Sequence, residues 1–408
     1  MNMSKLLRFA GVLACAMAPT LGLTKEVPAW VGKANNAFAI DLYRKLASEK
    51  RDDLFFSPNS IETALAMTYA GAQGETASQM AAVLHLPAGT NTIHTDLGDF
   101  LAELNSTAPI DGKPRGYQLS VANALWGQKG YEFLPHFLDV LKTNYGAGLQ
   151  EVDFRNDTEG ARETINDWVE KKTADKIKDL IGRGVLTPLT RLVLTNAIYF
   201  KGTWTSPFDK AATRDEAFHV SVQQESNVPM MHRTGEYGYL EDTDFQLLKL
   251  PYAGGKLSMI ILLPHRRDGL PQLEKELTPE KLSDSFAKFV NEKVIVSIPK
   301  FKMTAQFELA PILESMGMHA AFGADADFSG MTGKRDLMIS NVIHKAFAEV
   351  NEEGTEAAAA TGVVMSLRMA MPVRMLEFRA DHPFIFLIRE EASGAILFMG
   401  RLTDPKKE

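Results

Sequence analysis

The chain has 408 residues, 45% of them hydrophobic and 23% charged, with a formal net charge of -7 and a pI near 5.8. That balance supplies ample material for a core and excludes a disordered or fibrous chain. It also argues against nucleic acid or an anionic membrane as the main partner.

At the N-terminus, Lys5 and Arg8 flank the start of the apolar run Phe9 to Ala18, the pattern of a secretory signal too short to anchor in a bilayer. Residues 1–22 are expected to be cleaved off, near Gly22 or alternatively Ala16, giving a secreted or periplasmic protein. Cys15, the only cysteine, lies inside this stretch, so the mature chain would hold no disulfide. Reading Val12-Leu-Ala-Cys15 as a lipoprotein processing site gives a lipid-anchored variant of the same localisation.

Residues Pro28 to Ser48 carry Phe38, Leu42 and Leu46 at helical spacing with Lys33, Asp41, Arg44 and Lys45 elsewhere, which predicts an amphipathic helix. Leu54 to Ile61 is an extended apolar piece, and Ser60 is expected to open a helix through Ala70. Gly71 to Thr76 reads as a helix stop followed by a Thr that caps the next helix. Helical spacing recurs in Ile165–Val169 and Thr173–Ile177. Leu192 to Phe200 is nearly all apolar and bounded by Lys201-Gly202, as a strand buried on both faces would be, and Asn196 in its middle requires hydrogen-bond partners. Further strands are expected at Leu257–Leu263, Val294–Ile298 and Ala395–Gly400. Strands and helices intermix without a repeating βα unit, which favours α+β over a doubly wound sheet. No Pro/Ser/Gly-rich linker or internal repeat divides the chain, so one large domain stays open beside the two or more that length alone suggests.

Catalytic signatures are missing. None of the nine histidines forms His-Glu-x-x-His or an i, i+4 pair, so no helix-borne metal site is expected. There is no Gly-x-Ser-x-Gly elbow and no phosphate-cradling glycine loop, and the chain is expected not to be an enzyme and to need no cofactor.

The stretch Asn351 to Met369 has two available states. As a strand it places Thr355, Ala357, Ala359, Thr361, Val363, Met365 and Leu367 on one uncharged face, and Glu356, Ala358, Ala360, Gly362, Val364, Ser366 and Arg368 on the other. Local propensity favours a helix instead, because Glu-Ala-Ala-Ala-Ala follows a Thr able to cap it. Such a conflict suits a switch, the alternative being a short surface helix or loop.

The string Glu352-Glu353-Gly354-Thr355-Glu356-Ala357-Ala358-Ala359-Ala360-Thr361 resembles the proximal hinge of the serpins, and Phe378-Arg-Ala-Asp-His-Pro-Phe384, about twenty residues on, resembles the signature after their reactive loop. The block Phe55 to Met80 is similar to their second-helix region. The resemblance covers nearly everything after residue 30 and implies a single domain over 23–408 with a reactive loop at about 352–377. It also implies a large mixed sheet, two smaller ones and about eight or nine helices.

Several site residues follow from that resemblance. Ser57 and Ser60 would lie under the place where the main sheet parts, and Asn196 would join a polar cluster there with His344. Trp204 would stand where the loop first enters the sheet, and Lys300 would pair with Glu352. The family's seventeen-residue count, with Glu352 as the first, puts Arg368 before the scissile bond and Met369 after it, with Leu367 and Arg374 as alternative contacts. Arg368 would suit the pocket of a trypsin-like serine protease, whose buried Asp pairs with a guanidinium. Small residues at Ala357 to Ala360 would let the cleaved loop enter the sheet. The expected partner is thus an Arg-specific protease bound by a monomer, with a binding or storage protein, or an inhibitor of cysteine proteases, as alternatives. A heparin-type cofactor is not expected, because the helix that carries it in some members here holds Asp96, Asp99 and Glu103, which Lys113 and Arg115 are too few to offset.

Overall fold

Apolar runs decide where the strands go. In the computed structural model, which describes residues 27–406 apart from 110, 111, 113, 147 and 356–374, Leu192 to Phe200 is the most enclosed stretch of the middle of the chain. Leu192, Leu194, Ile198 and Phe200 face the main core, while Val193, Ala197 and Tyr199 face a second cluster. Two covered faces account for its unbroken hydrophobicity.

In chain order the described residues form α1 (Ala29–Glu49), β1 (Leu54–Phe56), α2 (Pro58–Tyr69), α3 (Gly74–Val83), α4 (Ile93–Asn105), β2 (Tyr117–Gln128), α5 (Pro135–Tyr145), β3 (Leu149–Val152), α6 (Thr158–Lys172) and β4 (Leu192–Thr203). A short 3-10 turn (Lys210–Ala212) leads to β5 (Arg214–His219), β6 (Glu225–Glu241), β7 (Phe245–Pro251), β8 (Leu257–Pro264), α7 (Leu270–Glu276), α8 (Pro279–Phe286), β9 (Val290–Pro299) and β10 (Phe301–Glu308). The remainder is α9 (Ala310–Ser315), α10 (Ser329–Thr332), β11 (Asn341–Asn351), β12 (Gly354–Thr355), β13 (Leu376–Arg379), β14 (Phe384–Glu390) and β15 (Ile396–Leu402). The fold is α+β.

The strands make two hydrogen-bonded sheets. One has six strands in the order β10-β11-β12-β4-β2-β3; the other has nine, running β1-β15-β14-β8-β7-β6-β9-β13 with β5 on β6. The two smaller sheets of the expectation run together here because β6, 17 residues long, pairs β5 at one end and β7 at the other. Among the described residues there are ten α-helices against the eight or nine expected, and the shortest, α10, has four residues.

Local chemistry moves three of the expected boundaries. Helix α2 opens at Ser57, not Ser60: the Ser57 side chain accepts from Ser60 N at 3.2 Å, and Pro58 supplies the first-turn position where a missing N–H costs nothing. Thr76 does not cap α3, which begins at Gly74; it sits buried in the first turn and accepts from Asp327 N at 2.9 Å. The helical spacing of Thr173–Ile177 is not realised, because α6 ends at Lys172 and the Thr173 hydroxyl accepts from Ile177 N at 3.2 Å. Ala174, Asp175 and Asp179 then take positive φ, so residues 173–181 cross the sheet as an irregular strap with Ile177, Leu180 and Ile181 buried.

Candidate functional site

The six-stranded sheet contains a fork. Strands β4 and β11 pair directly and in parallel from Asn341↔Val193 to Phe347↔Tyr199. Beyond that point they separate, and the two residues of β12 lie between them, antiparallel to both: Thr355 opposes Val350 and Gly202, and Gly354 opposes Asn351 and Thr203. Gly354 is required by space, since a Cβ there would stand 1.9 Å from the Gly202 carbonyl oxygen.

The turn before β12 is pinned at each residue. Glu352, 4% exposed, has one carboxylate oxygen 2.9 Å from Lys300 Nζ and accepts from the Thr213 hydroxyl at 2.8 Å with the other. Burial works to raise its pKa, but Lys300, the backbone and Thr213 outweigh it and hold the carboxyl below its usual range. Its carbonyl accepts from Phe208 N at 2.8 Å. Glu353 pairs with Lys210 Nζ at 2.5 Å, and its carbonyl accepts from Trp204 N at 2.9 Å. The Trp204 indole donates to the Asn351 carbonyl at 3.0 Å and stacks on Tyr252 at 4.6 Å between centroids. The Tyr252 hydroxyl in turn meets the Thr355 hydroxyl at 2.7 Å, with burial pushing the phenol above its ordinary pKa.

Lower in the same sheet, Asn196 and His344 are opposed across the β4–β11 pair. His344 Nε2 accepts from Ser57 N at 3.2 Å, so the ring is neutral and its Nδ1–H donates to Asn196 Oδ1. Burial lowers its pKa to about 3. Asn196 Nδ2 donates to Ser60 Oγ at 2.6 Å and to Asn123 Oδ1, and Ser57 Oγ donates to the Leu397 carbonyl at 2.7 Å. Ser57, Ser60, Asn196 and His344 therefore form one buried network, and Lys300, Trp204 and Glu352–Thr355 form another at the fork. Glu356 to Thr361, Arg368 and Met369 lie outside the described residues, as do residues 1–22 with Cys15, and Lys113.

Sequence reasoning missed Asn123, Thr213, Lys210 and Tyr252. Asn123 carried a usable signal, a lone amide in the otherwise apolar run Val121 to Trp126; the others stand in loops or turns where nothing distinguishes them. It also missed the strap. Lys176 lies over the Tyr199 and Phe347 rings at 5.8 and 5.9 Å, at the last paired position before the fork, and Lys345 Nζ donates to the Lys178 carbonyl at 2.7 Å. Arg115 is 8% exposed and committed to Glu103 at 3.1 Å. Among the described residues no group of three or more His, Cys, Asp or Glu side chains is arranged to hold a metal.

A family model described as "Serpin (serine protease inhibitor)" matches residues 33–405. The bovine leukocyte elastase inhibitor is 43% identical over 381 residues, covering 91% of this chain and 98% of that protein. Serpin B6 of Macaca fascicularis is also 43% identical, over 92% of this chain and 99% of its own. Among solved structures, human thyroxine-binding globulin in complex with thyroxine superimposes with a TM-score of 0.82 at 30% identity, over 93% of this chain and 100% of that one. The relatives matched, leukocyte elastase inhibitors and serpin B6, run against the secreted or periplasmic localisation expected from the N-terminal stretch and against its lipid-anchored variant through Cys15, and both expectations are withdrawn.

Proposed function

The chain belongs to the serpin family, whose members related to it include protease inhibitors, and from that premise we propose that it is a suicide-substrate inhibitor of trypsin-like serine proteases. Residues 23–408 act as one serpin domain, with the reactive loop at about 352–377 and Arg368–Met369 as the reactive bond. The observation that carries this reading is β12: Gly354 and Thr355, near the start of the loop, already sit as a strand antiparallel to both β4 and β11.

The protease serine adds to the Arg368 carbonyl; an ester to Arg368 forms, the amide to Met369 breaks, and the amine of Met369 leaves with the proton. Residues 356–368 then continue the register begun by Gly354 and Thr355, replacing the parallel β4–β11 contact with two antiparallel ladders. Parallel pairing is the weaker of the two per residue, and loop insertion of this kind is a known instance of strand addition in serpins. About a dozen new backbone hydrogen bonds at roughly 1 kcal/mol net each give a drive on the order of 10 kcal/mol. Dragging the ester by that force deforms the protease, where a displacement of about 1 Å at a catalytic group costs roughly 10²-fold in rate.

Incubation with trypsin, followed by mass determination of the released peptide and a denaturing gel, tests the proposal. A peptide beginning at Met369 together with a covalent complex is expected. Arg368→Glu should abolish trapping of trypsin, and Ala359→Arg should leave the bond cleavable but remove the stable complex. Cleavage of the unaltered protein without complex would instead favour a binding protein, a reading to which the similarity to a thyroxine carrier lends support.

A further inference from the structure

Away from the fork, α1, the C-terminal end of α3 and the end of α9 enclose an open groove of about 570 Å³, lined by Asp41, Arg44, Lys45, Val83, His85 and Met316 among others. We propose that this groove is a binding site for a small amphipathic anion, an acid group on an apolar body. The volume falls within the range of small-molecule sites.

Two features point to the ligand's chemistry. Arg44 and Lys45, successive residues on α1, both line the groove, and neither has a carboxylate within 4 Å among the described residues. Two cations against the one carboxylate of Asp41, itself bonded to His85, give the lining a net positive charge that favours an anion there. Their alkyl stems, with Val83 and Met316, supply an apolar wall for the rest of the molecule.

The second feature is backbone strain. His85 follows the C-cap of α3 with φ +53, in the left-handed region, while Leu86 N bonds to the Ala81 carbonyl at 2.9 Å to close the turn. Glycine is the usual residue at this position because it adopts that conformation without a Cβ penalty. A histidine held there at a conformational cost, with its Nε2 fixed 2.9 Å from Asp41 Oδ2, is oriented toward a task that turn formation alone does not need. That pair is exposed and adds little to stability, so the imidazole is a positioned wall of the groove.

The test uses the full chain with 8-anilinonaphthalene-1-sulfonate as the anionic probe and uncharged N-phenyl-1-naphthylamine as its control, titrated calorimetrically. One saturable site for the sulfonate is expected, with the neutral compound at least ten-fold weaker. An Arg44→Glu, Lys45→Glu double variant should weaken the sulfonate at least ten-fold, and Ala82→Trp, which fills the groove from α3, should do the same; thermal melts confirm that both remain folded. His85→Gly should weaken binding while raising Tm. Sulfonate affinity unchanged in the charge and filling variants, equal affinity for the neutral compound, or no saturable binding at all would overturn the proposal. Trapping of trypsin by the same variants is read separately and is expected to be unaltered.

Discussion

His344 and Glu62 are both sealed beneath the six-stranded sheet and respond to pH in different ranges. The imidazole is locked neutral by the Ser57 amide on one nitrogen and Asn196 on the other, and burial takes its pKa to about 3. Below its ordinary value of about 6.5 the unfolded chain therefore takes up a proton that the folded one refuses, and stability falls as pH drops from that value toward 3. Each pH unit in that window costs up to about 1.4 kcal/mol. His94, lowered to about 4 by burial, acts with the same sign. Melts at pH 7.5 and 4.5 are expected to show a smaller loss for His344→Gln than for the unaltered chain. Glu62 is 1% exposed, and neither carboxyl oxygen has a hydrogen-bond partner among the described residues; burial pushes its pKa well above the usual range. A raised carboxyl is least harmful below its unfolded pKa and increasingly costly as pH rises through the folded one. Glu62→Met should therefore raise stability at pH 7 by on the order of 1–3 kcal/mol, a gain that chemical denaturation should find shrinking toward pH 4.

At the scale of elements, Gly354 offers the clearest prediction. Alanine there would press a methyl against the Gly202 carbonyl and hold a φ of +155, so β12 should leave the fork. The cost is expected on the order of 1–3 kcal/mol, and the loss of the Trp204 contacts should appear in tryptophan fluorescence. How far such elements were legible depended on how locally they are determined. Helix α1 and strands β4, β8 and β15 could be read because their apolar residues match one period or form one run. The strap 173–181 could not, since a single hydroxyl–amide bond from Thr173 and three positive-φ residues override its helical spacing. Strand β6 escaped for a different reason: its mixed burial follows neighbours that change along its length from β5 to β9 to β7. Most of the fork was legible only through resemblance, because the partners of Glu352 come from Thr213 and Lys300, far apart in sequence.

For the whole molecule, the proposed mechanism makes the parallel contact between β4 and β11 over 341–347 and 193–199 the reserve that loop insertion would draw on. If cleavage after Arg368 releases on the order of 10 kcal/mol through about a dozen backbone bonds, then an unfolding entropy of about 2.1 cal/mol/K per residue implies a Tm rise of about ten degrees. Differential scanning calorimetry of intact and trypsin-nicked protein should show it, and equal melting temperatures would mean that no reserve exists. The nine-stranded sheet has a separate consequence. β14 and β15, near the C-terminal end, lie inside it between β1 and β8, and β15 also receives the Asn35 side chain on the Ile396 carbonyl. β1 and β8 therefore cannot be covered along these edges until residues 384–402 have been synthesised, which leaves an incomplete sheet open to pairing with other chains in the meantime.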